Sequence, residues 1–473
     1  MKLKDYILKT STICFTLLLC AVIVRGQKKI DHGPLVVTAD KTGLQYADGT
    51  PFFWLGDTAW ELNNRLDTKE IISYLDNRVA KGFNVIQMTI LSTGSFNRGN
   101  RNGDVALHDS DPTKPNEKYF ARIDTVVRLA QEKGLIMALV ISWGDKVVKV
   151  PGYGADPVIF DKAKALTYAK YIGNRYKNFN NLIWILGGDV PAINKEGDFK
   201  PVFNAMAQGI IETTGHKCLI TFHPAGYRSS SEWFQATPWL DFNMIQSSHG
   251  GHDAPNWDFV TKDLARTPAK PTLDAEPNYE DHPVHPWPTW SPDSGYFRDY
   301  DVRKQSYRSV FAGAFGVTYG HHAVWQFMSE REEVLNYADR GWRNAMERPG
   351  ASQMKYLKTL IESRDSYGRI HDLSIVASGQ GVGKSHIEAF RSNAGDYAMI
   401  YLPVGREVSI NTASIKARKL NVWWYNPKNG EITKGGILDK SPHLKFIPPT
   451  VGMGNDWVLV VEDASKKYKD IGK

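Results

Sequence analysis

Eight short apolar, β-branched runs recur along residues 51–367, and between them the chain takes on helical periodicity. The runs are FFWLG (52–56), NVIQMTI (84–90), LIMALVIS (135–142), NLIWILG (181–187), CLITFH (218–223), FNMIQS (242–247), PTLDAE (271–276) and GVTYG (316–320). Amphipathic stretches at 69–81, 119–133, 161–176 and 201–213 lie between them. Strands that are apolar throughout are buried on both faces, as in a parallel sheet covered by crossover helices. Eight of them select a closed barrel over an open doubly wound sheet. The expected fold class is therefore α/β, a (β/α)8 TIM barrel. FFWLGDTAWEL, at the first run, lacks the glycine spacing of a dinucleotide fingerprint, which excludes a Rossmann reading.

Three long insertions each follow a strand directly. Residues 92–117 are polar and rich in Gly and Asn; 277–301 carry Trp287, Trp290, Tyr296 and Tyr300 among prolines; 321–350 follow the eighth run. All three should decorate the C-terminal rim, where barrel enzymes hold their chemistry. Loops of that length in a compact domain are usually functional walls or lids. The chain has 14 Trp and 21 Tyr, more than core packing needs, and sugar clefts use flat aromatic faces.

Two carboxylates fall where the chain leaves a strand: Asp189 closes NLIWILGGD and Glu276 closes KPTLDAE. On the fourth and seventh strands both acids rise from the same rim. Glycoside hydrolysis needs one carboxyl to protonate the leaving oxygen and a second to meet the oxocarbenium-like centre. Asp189 is assigned as acid/base, after a Gly187-Gly188 pair expected to let a sugar approach the backbone. Glu276 is assigned as nucleophile, projecting as the chain turns away at Pro277. Facing positions across the mouth favour the separation of roughly 5–5.5 Å that retaining enzymes use. The rivals are Asp274, placed by alternation on the face of Glu276 but deeper, with Glu280 and Asp281 in the loop, and Asp145 and Asp198 against Asp189.

Other strand ends supply an expected substrate-binding shell of Asp57, Trp60, Gln87, Trp143, His223, His249, Tyr279 and His321, each with a packing role as its alternative. His249 with His252, His282 with His285, and His321-His322 raise a metal-dependent hydrolase as a second reading. No H-E-x-x-H helix or Cys pair supports it, so no metal or other cofactor is expected. A non-catalytic carbohydrate-binding or adhesion protein is the third reading, opposed by the presence of both carboxylates.

The ends of the chain read differently. Lys2, Lys4 and Lys9 precede the apolar stretch 11–24, too short to span a bilayer comfortably, and Val24-Arg25-Gly26 suits cleavage before Gln27. Residues 1–26 are read as a signal peptide and the chain as secreted or periplasmic. Cys20, after three leucines, is the alternative of an outer-membrane lipoprotein. No transmembrane segment is expected in the mature chain. Losing Lys2, Lys4, Lys9, Arg25 and Asp5 takes the formal charge from +7 to +4, with no basic run, so no nucleic-acid partner is expected. The expected partner is an oligo- or polysaccharide; the oligomeric state stays open. Cys218 is the remaining cysteine and sits in an apolar run, as a core residue does. Leu35–Ala39 and Leu44–Ala47 read as a hairpin under the barrel. Beyond about Ile370, short strands separated by turns predict an antiparallel β-sandwich. The expected domains are thus 27–367, barrel with hairpin, and 368–473, sandwich, a packing domain rather than a glycan-binding one.

With these residues in view, the chain resembles a known family. FFWLGDTAWELNNRL, KGFNVIQMTIL, WILGGDV and LDAEPNYE are similar to the bacterial DUF4038-type glycosidases, which include glycoside hydrolase family 140, the apiosidases of pectin breakdown. The resemblance extends to a C-terminal domain labelled collagen-binding in that family. It implies that the Asp after the fourth strand and the Glu after the seventh, here Asp189 and Glu276, are the catalytic pair. It also implies cleavage of apiose-containing pectin of rhamnogalacturonan II type.

Overall fold

The computed structural model describes residues 32–92, 98–150, 157–364 and 368–471. The expected signal peptide, residues 1–26 with Cys20, lies outside them. No helix among the described residues is long and apolar enough to cross a membrane.

The eight runs form strands β1 (Trp54–Thr58), β2 (Val85–Thr89), β3 (Ile136–Val140), β4 (Leu182–Gly187), β5 (Ile220–His223), β6 (Asn243–Gln246), β7 (Thr272–Asp274) and β8 (Gly316–Tyr319). Parallel pairing runs β5-β4-β3-β2-β1-β8-β7-β6. The seam between β5 and β6 is narrowed by Asp241 N–H donating to the Ile220 carbonyl (2.9 Å) and Thr221 Oγ1 to that of Phe242 (2.7 Å). The sheet is not all parallel as expected: a two-residue strand, Arg228–Ser229, adds antiparallel to β6. It has no apolar run of its own, so periodicity could not reveal it.

The helices on the outside are α1 (Thr68–Ala80), α2 (Glu117–Glu132), α3 (Lys162–Tyr176), α4 (Lys200–Thr214), α5 (Asn256–Leu264), α6 (Asp299–Phe311) and α7 (Pro349–Glu362). Local signals set their ends: Asp67 and Glu70 make a reciprocal capping box on α1, and Gly215, in the left-handed region, stops α4. Inside the barrel Val85, Ile136, Ala138, Val140, Ile183, Ile185, Met244 and Leu273 pack together. Beneath them the hairpin has gained a third strand, Pro51–Phe52, beside Leu35–Val37 and Leu44–Tyr46, and Leu35, Leu44 and Phe52 join the same core as Trp54 and Phe315.

The C-terminal sandwich packs a six-stranded antiparallel sheet on a three-stranded one. Its inner core holds Ile400, Leu402, Trp424 and Leu459. The other face of the larger sheet, with Phe390, Tyr397, Met399, Tyr401, Val458 and Val460, shares a core with Val302, Tyr307, Val310 and Phe311 of α6 and Leu357 of α7. Trp423, half buried, packs against that shared core. α6 is consequently buried nearly all round, and its Arg303 forms a bidentate pair with Asp456 of the sandwich (2.8 and 2.7 Å).

Breaking a buried pair strands the surviving charge. Asp456→Ala should therefore destabilise the chain by about 3–5 kcal/mol in urea unfolding, and Arg303→Met combined with Asp456→Leu should recover part of that loss.

Candidate active site

The chain leaves β4 through Gly187, Gly188 and Asp189, all at positive φ (81°, 116° and 58°). A Cβ at 187 would meet the His223 carbonyl oxygen at 2.5 Å, and one at 188 would meet the Trp143 ring at 2.7 Å. The glycine pair is thus required by the end of β5 and by Trp143. The turn is closed by Gly188 N–H donating to the His223 carbonyl (3.0 Å) and Asp189 N–H donating to His223 Nδ1 (3.3 Å). A left-handed aspartate is uncommon, and here neighbouring strands fix it at the mouth, its side chain half buried.

β7 ends at Asp274, and the alternation expected to put Asp274 and Glu276 on one face does not hold. Asp274 points to the helix layer, accepting from Ser247 (2.9 Å), Ser309 (2.6 Å) and Asn256 (3.2 Å), while Ala275 packs inside the barrel. The chain bends at Glu276, and its carboxylate meets two imidazoles instead. Oε1 lies 3.1 Å from His249 Nε2, and Oε2 lies 3.0 Å from His223 Nε2. His223 Nδ1 accepts from a backbone N–H, so its proton sits on Nε2, facing the carboxylate. His249 hydrogen-bonds one carboxylate oxygen, and His223 Nε2 faces the other. Burial alone would push the Glu276 pKa up; the two imidazoles outweigh it and hold the carboxyl below the usual range. Burial, reinforced by the Glu276 charge, keeps the neighbouring Tyr279 phenol protonated.

Both carboxylates line one cavity of about 460 Å3 at the C-terminal mouth, a size suited to a small ligand. Of the expected binding shell, Trp60, Trp143, His249 and Tyr279 line it too, with Trp60 and Trp143 packed at 5.3 Å between ring centroids. His223 is fully buried beside Glu276 and Asp189, a support rather than a wall. Three expectations are corrected. Asp57 points outward between β1 and α1, bound by Arg78 Nε (2.6 Å) and Tyr74. Gln87 is tied inside the barrel to the Ala275 carbonyl (3.2 Å) and Thr318 (3.0 Å). His321 is fully buried against Asp281 (3.2 Å) and caps the following turn through Ala323 N–H. In each, position at a strand end did not decide which way the side chain turns.

Among the rivals, Glu280 and Asp281 are locked under the rim. Glu280 accepts from Tyr319 (2.6 Å) and Gly350 N–H (3.1 Å), and Asp281 is ringed by Arg298, Arg340 and Arg348. Asp145 is buried with Lys146 (2.8 Å), and Asp198 belongs to a two-residue strand away from the cavity. The cavity also takes in Arg65, Gln246, Ser248, Trp325 and Asn336, which the sequence reading missed, and His282 and Trp287, which it had noted in another connection. Gln246 and Ser248 stand at the end of β6, so the rim rule that found Glu276 would have found them. Asn336 comes from a loop and Arg65 from a one-turn helix, Leu62–Arg65, both too short to carry a periodicity. A second cleft of about 340 Å3 adjoins through Arg65, with Arg98, Arg101 and Arg331 set against Glu61, Glu332 and Glu333. Among the described residues no group of three or more His, Cys, Asp or Glu side chains is disposed to hold a metal ion.

Removing one imidazole should expose the cost of burying Glu276. His249→Phe should raise the Glu276 carboxyl pKa, read by 13C NMR titration of glutamate side chains; an unmoved carboxyl would show that His249 does not hold its charge.

Residues 38–367 match the family described as "Apiosidase-like, catalytic domain", and residues 370–462 match one described as "Putative collagen-binding domain of a collagenase". Among solved structures, a glycoside hydrolase family 5 protein from Bacteroides vulgatus ATCC 8482 is 33% identical, with 92% of this chain and 94% of that one covered and a TM-score of 0.84. Another, described as a glycoside hydrolase, is 34% identical over 92% of this chain and 98% of its own, with a TM-score of 0.83. A third, also from Bacteroides vulgatus, shares the fold at 15% identity, with 91% and 83% covered and a TM-score of 0.64. No curated protein matches the chain. The chain belongs to the apiosidase-like family of glycoside hydrolases.

Proposed function

We propose that the chain is an exported, retaining apiosidase acting on apiose-containing pectin of rhamnogalacturonan II type, with Glu276 as nucleophile and Asp189 as acid/base. The observation that carries the reading is Glu276, a buried carboxylate kept charged by two imidazoles on the wall of a cavity that Asp189 shares. A nucleophile needs its lone pair free, and the imidazoles stabilise that form. Asp189, half exposed to the mouth, is placed to exchange its proton with substrate or water.

The reaction then runs in two displacements. A Glu276 oxygen attacks the anomeric carbon while Asp189 gives its proton to the departing glycosidic oxygen, leaving a glycosyl ester on Glu276. Asp189, now a carboxylate, takes a proton from water; that water attacks the anomeric carbon from the opposite side to the ester and frees Glu276. Trp60 and Trp143 offer flat faces to the apolar side of the sugar. The choice of apiose rests on the family match at residues 38–367, and the export reading on the segment before Gln27.

Hydrolysis of an apiose-containing pectin fraction by wild type, Asp189→Ala and Glu276→Ala tests this. Wild type should release apiose-linked products, Glu276→Ala should release none, and Asp189→Ala should lose about 10²–10⁴-fold. Azide should rescue Glu276→Ala with inverted and Asp189→Ala with retained configuration. Turnover persisting in both variants would mean other carboxylates do the work. Wild type cleaving another glycan but not pectin would remove the apiose assignment, and loss of activity in EDTA would favour a metal-dependent hydrolase.

A further inference from the structure

We propose that His282 is a specificity-determining residue, a neutral imidazole whose Nε2 is a fixed hydrogen-bond acceptor for a hydroxyl of the bound sugar. The inference rests on reading the cavity as the sugar site and adds a requirement on the sugar itself. His282 is buried, yet its ring is part of the cavity wall. Its Nδ1 lies 2.7 Å from the carbonyl oxygen of Pro283, which can only accept, so Nδ1 carries the ring proton. Nε2 is left with its lone pair, and no described side chain or backbone group hydrogen-bonds it. Turning the ring over would replace Nδ1 with a carbon and lose the Pro283 bond, so the tautomer and the orientation are set together.

The surroundings also keep a second proton away. The ring stacks on His249 from the loop after β6 (4.2 Å, 25°) and meets the edge of His322, which opens the short helix His322–Trp325 after β8 (4.4 Å, 73°). Tyr279 of its own loop lies at 6.3 Å and Trp287 at 5.8 Å. The titratable groups packed on His282 are thus imidazoles and a phenol, with the Glu276 carboxylate beyond His249. Burial, and the two imidazoles after it, push the His282 pKa well below the ordinary histidine value. His322 is neutral for similar reasons: Nε2 donates to the Asn336 carbonyl (2.8 Å), and burial takes its pKa down to about 3.

His249 donates through Nε2 to Glu276, and His282 offers an acceptor. A sugar hydroxyl that donates satisfies Nε2; a deoxy or O-methyl sugar at that position leaves a buried acceptor unpaired, which is the stronger form of discrimination. The class of ligand is a glycosyl unit with a free hydroxyl facing this wall.

Two measurements test it on the full chain. Long-range 15N–1H spectra of 15N-histidine protein, with His282 assigned by its loss in His282→Gln, should show an Nδ1–H tautomer that does not titrate between pH 5 and 8. An Nε2–H tautomer, or protonation in that range, overturns the proposal. Kinetics of wild type, His282→Phe and His282→Gln, on the apiose-containing pectin fraction and on arabinan, galactan, xylan and mannan, separate acceptor from packing roles. Phe keeps the stack and removes the acceptor, while Gln restores a side-chain acceptor and breaks the stack. The expected result is a loss of about tenfold in kcat/KM for Phe with partial recovery in Gln. Phe at wild-type level, or both variants equally impaired or unimpaired, overturns it. The expected order on another glycan keeps the inference and removes only the pectin reading. If no glycan in the panel is cleaved, the nitrogen spectra decide.

Discussion

A carboxylate buried at the mouth of a barrel is costly unless something answers its charge, and the arrangement around Glu276 follows from that cost. Two histidines from adjacent strand ends supply the answer. The one on β5 has its tautomer fixed by the backbone of Asp189, so the residue expected to handle protons also orients the support of the residue expected to attack. The same contacts have a stability consequence. A pKa held below the unfolded value means that Glu276 favours folding above the ordinary glutamate range, near 4.3, and loses that contribution as pH falls toward its folded value.

Holding His249 in register requires more than its own strand. The loop that carries it is tied to α6 by Lys304 on Asp253 (2.6 Å), Gln305 on the Ala254 carbonyl (3.0 Å) and His252 on Asp301 (3.2 Å). α6 is in turn fastened to the sandwich through Arg303 on Asp456 and through Arg308 on the Gly383 carbonyl (2.7 Å). Trp257 of α5 stacks on His386 of the sandwich at 4.1 Å. A domain with its larger sheet committed to this contact has an evident mechanical role: it backs the helix that backs the loop that carries His249.

The barrel was legible because burial on both faces forces unbroken apolar runs, and the rim carboxylates because a strand end is a position in sequence as well as in space. Trp60, Trp143, His249 and Tyr279 were found the same way. What failed was direction. The strand-end rule put Asp57, Gln87 and His321 at the mouth, whereas Asp57 answers Arg78 in the helix layer and Gln87 spans the barrel to Thr318. Alternation also stops where the strand stops, and β7 ends two residues before Glu276, so Asp274 and Glu276 part company at that bend. The glycines before Asp189 are also required by His223 and Trp143, since sequence shows that space is needed and not what fills it.

The histidines carry this point furthest. Spacing made His249, His282 and His322 look like ligands in waiting, and they do come together. Their nitrogens, however, are assigned by partners that no pattern announces. His249 Nε2 meets a carboxylate, His282 Nδ1 the carbonyl of a proline one residue on, and His322 Nε2 the carbonyl of Asn336. A backbone carbonyl forces the nitrogen facing it to carry the proton, and a buried imidazole flanked by others takes no second one. Three chemically identical side chains thus become a donor to a charged oxygen, an acceptor at the cavity wall and a brace for the next loop. The difference lies in where the surrounding loops place their carbonyl oxygens, and each loop is positioned by the strand end it leaves.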